Sequence, residues 1–162
     1  MAITQFKGTQ ILDGTIGSSD LATSLSLVTP NIGVAIGTSL AVTGAITSSG
    51  AGIGYTTGAG GSVTQLVSRA TTVVLNKLCG NITMFSAAQA AQAIVTFTLT
   101  NSFITANDFL LLQHISTTNG GAWNFSCVCG AGSVTIIIRN ISTVSITEAT
   151  PLRFTLIKGV VL

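Results

Sequence analysis

Few side chains in this sequence could do chemistry, and their spacing does not gather them. Between residues 62 and 162 the carboxylates are Asp108, in TANDF, and Glu148, in ITEATP. A two-carboxylate hydrolase needs its acids on either side of a cleft. Nothing in this spacing supports that: Asp108 reads as a turn residue ahead of a strand, and Glu148 as a loop residue. His114 is the sole histidine. It could serve as general base to one of many serines, but a lone histidine in an apolar strand reads as a hydrogen-bonded core or interface residue. With no acidic neighbour it cannot build a metal site within one chain. Cys79, Cys127 and Cys129 follow no metal-binding pattern. The last two, in WNFSCVC, fall on one face of a strand with Cα atoms about 6.7 Å apart, at the strained edge of disulfide geometry. All three read as reduced core residues, as in a cytoplasm. The runs GAGIG and GAGG lack the Lys-Ser/Thr ending and the following helix of a phosphate loop. Trp123 follows the connection TTNGGA; at a loop mouth its indole could stack on a sugar, while as the first residue of WNFSCVC it reads as a core aromatic. The latter is preferred. Tyr55 reads as a packing residue. No catalytic residue, metal or cofactor is therefore expected, and the chain is expected not to be an enzyme.

The elements that carry these residues are unusual in composition. Of 162 residues only 6% are charged, 47% are hydrophobic and 6% are aromatic. Low charge with high hydrophobicity argues against disorder. It also argues against an ordinary monomer, whose solubility rests on mixed surface charge. Such a chain is expected to cover much of its exterior with copies of itself or with a larger particle. The net charge is +2, and the cations (Lys7, Arg69, Lys77, Arg139, Arg153, Lys158) are scattered. No basic stripe for phosphates results, so nucleic-acid binding is not expected. The start MAITQFKG lacks the pattern of a signal peptide. The mean hydropathy of +0.71 is spread over segments broken by Gly, Ser and Thr. No apolar run is long enough for a spanning helix, and the aromatics are too few for the girdles of a membrane barrel. Membrane insertion is not expected.

Three zones follow. Residues 1–29 are a mixed leader, in which Asp13-Gly14 signals a tight turn and Ser18, Ser19 and Asp20 could cap a helical turn. Residues 30–61 are rich in Gly, Ser and Thr, and no charged side chain lies between Asp20 and Arg69. Ile32, Val34, Ile36, Leu40, Val42 and Ile46 are spaced among the glycines. β-branched residues say extended chain, and glycines say close backbone approach. One such chain cannot bury both of its faces, whereas three side by side could, so a stalk packed from these six residues is preferred to a flexible linker. Residues 62–162 read as all-β. SVTQLV, TTVVLN, GNITMF, AIVTFTLT, FLLLQHI, WNFSCVC, SVTIIIRN and LRFTLIKG are short, β-branched or aromatic, and separated by turn residues at the spacing of a sandwich or jelly roll. FLLLQHI is apolar on both faces, which predicts a central strand or a subunit interface. SAAQAAQAI, residues 86–94, reads equally as a helical turn or a loop.

TQFKGTQILDGTIGSSDLA resembles the N-terminal attachment segments of tailed-bacteriophage fibre proteins, and GTSLAVTGAITSSG resembles their small-residue shaft repeats. GYTTGAGGSVTQ, VVLNKLCGNITM and FTLIKG look like a C-terminal knob of phage virion proteins. The resemblance implies a non-enzymatic homotrimer on a virion, assembled in the cytoplasm of a bacterial host. The leader, through Ile3, Phe6, Ile11, Leu12 and Ile16, would dock on other virion proteins of the capsid or tail. A short intertwined stalk would join three jelly-roll-like β-sandwich knobs. The loops holding Asn119, Trp123 and Glu148 would face a host-surface glycan or protein. The chain is short for a tail fibre, so the alternative is a capsid decoration (cement) protein that stabilises the head.

Overall fold

A computed structural model describes residues 45–46 and 52–160 of the chain. The leader residues Ile3, Phe6, Ile11, Leu12 and Ile16 lie outside the described residues, as do Ile32, Val34, Ile36, Leu40 and Val42 of the stalk. Ile46 is described, and it is 59% exposed. Residues Ser48–Leu162 form one compact unit.

The described residues are all-β and contain no helix. Ten strands follow in order: β1 (Gly60–Thr64), β2 (Val73–Val74), β3 (Cys79–Thr83), β4 (Ala87–Gln89), β5 (Ile94–Thr100), β6 (Phe109–His114), β7 (Trp123–Gly130), β8 (Ser133–Asn140), β9 (Ile146–Glu148) and β10 (Pro151–Ile157). One open sheet has the order β1-β3-β10-β6, a second the order β2-β5-β8-β7, and β4 pairs with β9 alone. The β1–β3 and β2–β5 pairs are parallel; the others are antiparallel.

The period-2 alternation of side chains across a strand builds the core. Val134, Ile136 and Ile138 of β8 are buried between outward Thr135, Ile137 and Arg139. They face in beside Phe97 and Leu99 of β5, and join Ile82, Leu110, Leu152, Phe154 and Leu156 of the other sheet in one hydrophobic cluster. The inward rows of the two sheets thus share a single core. Between β7 and β8 the chain reverses through Ala131-Gly132, with Gly132 at a φ of 72° that only glycine takes without strain. Gly80 allows the closest approach in the first sheet: a Cβ there would meet Gly61 O at 2.7 Å and Leu75 Cδ2 at 2.9 Å.

The structure narrows or changes three expectations. Of the two readings of FLLLQHI, the central strand is excluded because β6 ends its sheet; its outward Phe109 and Leu111 are 65% and 57% exposed. SAAQAAQAI is not helical. Ala87–Gln89 pair with β9, and a turn closed by Ala93 N–H to Ala90 O follows, with Gln92 at a φ of 61°. Buried Gln89 donates to Ala93 O (2.9 Å) and Ile138 O (3.1 Å), contacts that outweigh alanine's helix preference. TTVVLN supplies only the two-residue β2.

Candidate functional site

Four segments meet around Glu148. β9 ends on this residue, β6 ends on His114, β7 begins with Trp123, and Asn119 lies in the connection between β6 and β7. The Trp123 Nε1–H donates to Glu148 Oε1 at 2.8 Å, and the Asn119 amide donates to Oε2 at 2.6 Å. His114 Nε2 lies 3.2 Å from Oε1, but without the alignment of a hydrogen bond. That approach is electrostatic when the ring is protonated. The side chains of His114 and Glu148 are each 11% exposed. Phe125 backs the imidazole, with ring centroids 6.1 Å apart.

Arg69 closes the cluster from behind. Its guanidinium stands 5.1 Å from the centre of the Trp123 ring and donates to the backbone carbonyl of Glu148 (2.8 Å) and to Thr150 Oγ1 (2.9 Å). Burial lowers the pKa of Arg69, and the nearby Glu148 charge opposes that shift. A buried guanidinium is tolerated here because it is hydrogen-bonded and faces an aromatic ring.

The sequence-level view of His114 as lacking an acidic neighbour is corrected by this geometry. Glu148 is distant in sequence and reaches it because β10 pairs with β6, setting Leu152 opposite His114 and so the preceding ITEATP segment at the end of β6. The three residues assigned to outward loops also meet, but in different settings. Asn119 is exposed, at a φ of 53°. Trp123 is 7% exposed and belongs to the hydrophobic core, as its strand position predicts. Glu148 lies at the end of a strand rather than in a loop, with its carboxylate occupied. His114 and Arg69 were not anticipated as members of this group; their one signal in the sequence is a lone histidine and a cation within otherwise uncharged stretches.

Asp108 serves a separate cluster. It accepts from the Thr105 N–H (2.8 Å), closing the turn expected of it, and from the Gly159 N–H (3.1 Å) and Lys158 Nζ (2.5 Å). Burial acts to raise its pKa. The Lys158 ammonium, the two backbone N–H groups and the Thr105 hydroxyl outweigh it and hold the carboxyl well below the usual range. The two carboxylates therefore do not form a pair. The cysteines are free thiols. Burial first, then neighbouring negative charge, raises the pKa of Cys127 and Cys129, and Cys127 donates to Leu110 O at 3.2 Å. Protonated thiols of this kind are poor nucleophiles. Among the described residues no group of three or more His, Cys, Asp or Glu could hold a metal ion.

The outer face of the β1-β3-β10-β6 sheet carries two shallow depressions. One, of about 450 Å³, is floored by Gly60, Gly61 and Gly80 and edged by Arg153 and Asn81. The other, of about 590 Å³, lies between Ile53, Tyr55, Leu111 and Ile157. Comparison of the chain with protein-family models, curated proteins and solved structures returns no match.

Proposed function

We propose that this protein is a non-enzymatic structural component of a tailed-phage virion, a short homotrimeric fibre. Residues 1–29 dock it on capsid or tail proteins, residues 30–61 join three chains in a stalk, and a jelly-roll-like knob is displayed for attachment to the host surface. The observation that carries this reading is the exposure of large apolar side chains on the outer sheet faces, Phe109, Leu111 and Ile157 on one and Val74, Ile94 and Val128 on the other, in a chain whose residues 21–68 carry no charge. Surfaces of this kind are stable in water when other subunits cover them. The Glu148 cluster supports the non-enzymatic part, because its carboxylate is taken up by Trp123 and Asn119 in holding the β6–β7 connection. That connection, with Asn119 at its surface, is the host-facing element. Trp123 and Glu148 anchor it from beneath. Repeated in three copies, weak contacts there add through avidity.

Gold-labelled antibody against the protein, imaged on intact particles, locates it, and purified protein added with phage should compete with adsorption to host cells. No cell binding at micromolar trimer would count against attachment. Label over the head, with particles becoming heat-sensitive when the protein is lost, would favour the cement-protein reading.

A further inference from the structure

We propose that Asn119 is a site of self-modification: its side-chain amide is lost to the backbone nitrogen of Gly120, leaving aspartate or isoaspartate and freeing the β6–β7 connection from Glu148. Asn119 is the one asparagine in the sequence that precedes a glycine. Gly120 has no Cβ to screen its nitrogen from the neighbouring side chain. Residues 117–121 are all exposed to water. The turn leaves the attacking nitrogen free. The Thr118 N–H donates to Ser116 Oγ and the Ala122 N–H to Asn119 O, while the Gly120 N–H has no partner among the described residues. Other asparagines are held differently. Asn101 and Asn140 are fully buried with their amides hydrogen-bonded, and Asn81 and Asn124 lie within β3 and β7.

The reaction needs only water. The Gly120 nitrogen gives up its proton and bonds the side-chain carbonyl carbon of Asn119. The bond from that carbon to the amide nitrogen breaks, and the amide nitrogen leaves with the proton as ammonia. One water then opens the cyclic imide at either carbonyl, giving aspartate or isoaspartate. The consequence follows from what the amide was holding. Asn119 Nδ2 donates to Glu148 Oε2 at 2.6 Å, while Trp123 holds Oε1. The product carboxylate has no proton to donate and sets a second negative charge against the first. Arg69 does not offset it, because its guanidinium is committed to the Glu148 backbone carbonyl and to Thr150 Oγ1. The connection therefore loses its side-chain tie to β9, while Trp123 keeps Glu148 in place. This chemistry goes beyond the fibre reading and is independent of what the connection faces.

The test incubates the full native chain at mildly alkaline pH and physiological temperature and follows each asparagine by peptide mass spectrometry. Asn119 should convert ahead of every other asparagine and give both aspartate and isoaspartate peptides. Gly120→Ala should keep the amide over the time in which the wild type loses it. That variant is expected to fold, since a Cβ at Gly120 meets only Thr117 O at 3.5 Å and the backbone there is not left-handed. Asn119→Asp supplies the product chain directly, and its hydrogen exchange over residues 115–122 should be faster than in the wild type. An Asn119 amide that persists in the native chain, even where the chain unfolded in urea loses its own, would overturn the site. Conversion in Gly120→Ala at the wild-type rate would overturn the role of the glycine nitrogen. Unchanged exchange over residues 115–122 in Asn119→Asp would overturn the release from Glu148.

Discussion

At Glu148 one carboxylate answers two donors and an imidazole, and its loss leaves the Trp123 N–H without an acceptor. Glu148→Ala should cost about 2–3 kcal/mol, the range for removing a charged acceptor from largely covered donors. Glu148→Gln, which can still accept a hydrogen bond, should cost about 1 kcal/mol. Urea unfolding followed by the fluorescence of Trp123, the single tryptophan, reads both. Asp108 gives the pH dependence. Its folded pKa is depressed, so its contribution is complete above the unfolded pKa of about 3.9 and is lost as pH falls below it. Wild-type stability should therefore drop as pH falls from about 4 towards 2, and Asp108→Asn should show a shallower drop in that window. Urea midpoints across that range check this. Neither cluster could be read from the sequence. Asp108 was legible as a turn residue because its partner Thr105 is close in the chain. Glu148 was not legible as a partner of His114, because only the pairing of β10 with β6, which sets Leu152 opposite His114, brings them together.

The strands that were legible are those whose alternation has one buried face. SVTIIIRN is β8 from end to end, and AIVTFTLT and WNFSCVC hold β5 and β7. What escaped is short or held by distant contacts. β4 and β9 are three residues each and exist because they pair with one another. Asn140 secures this region: its amide donates to the carbonyls of Gln89, Ala90 and Val144, and its oxygen accepts from Ser142. With Asn140 fully buried, Asn140→Ala should destabilise by about 2–4 kcal/mol, seen as a lower urea midpoint. Gly80→Ala should cost about 1–3 kcal/mol, since its Cβ has no room between Gly61 O and Leu75. Ser62→Ala, on the outward row of β1, should change the midpoint little and serves as the control.

On the scale of the whole molecule, solubility and assembly are one question. Ten charged side chains in 162 residues leave little repulsion between copies, and the apolar side chains exposed on the sheet faces give them something to bury. The fibre reading stands or falls with that assembly. Sedimentation equilibrium of the wild-type full chain at micromolar concentration addresses this most directly. A single species of three times the 16.4 kDa chain mass is expected; a stable, compact species of one chain mass at that concentration would contradict the account.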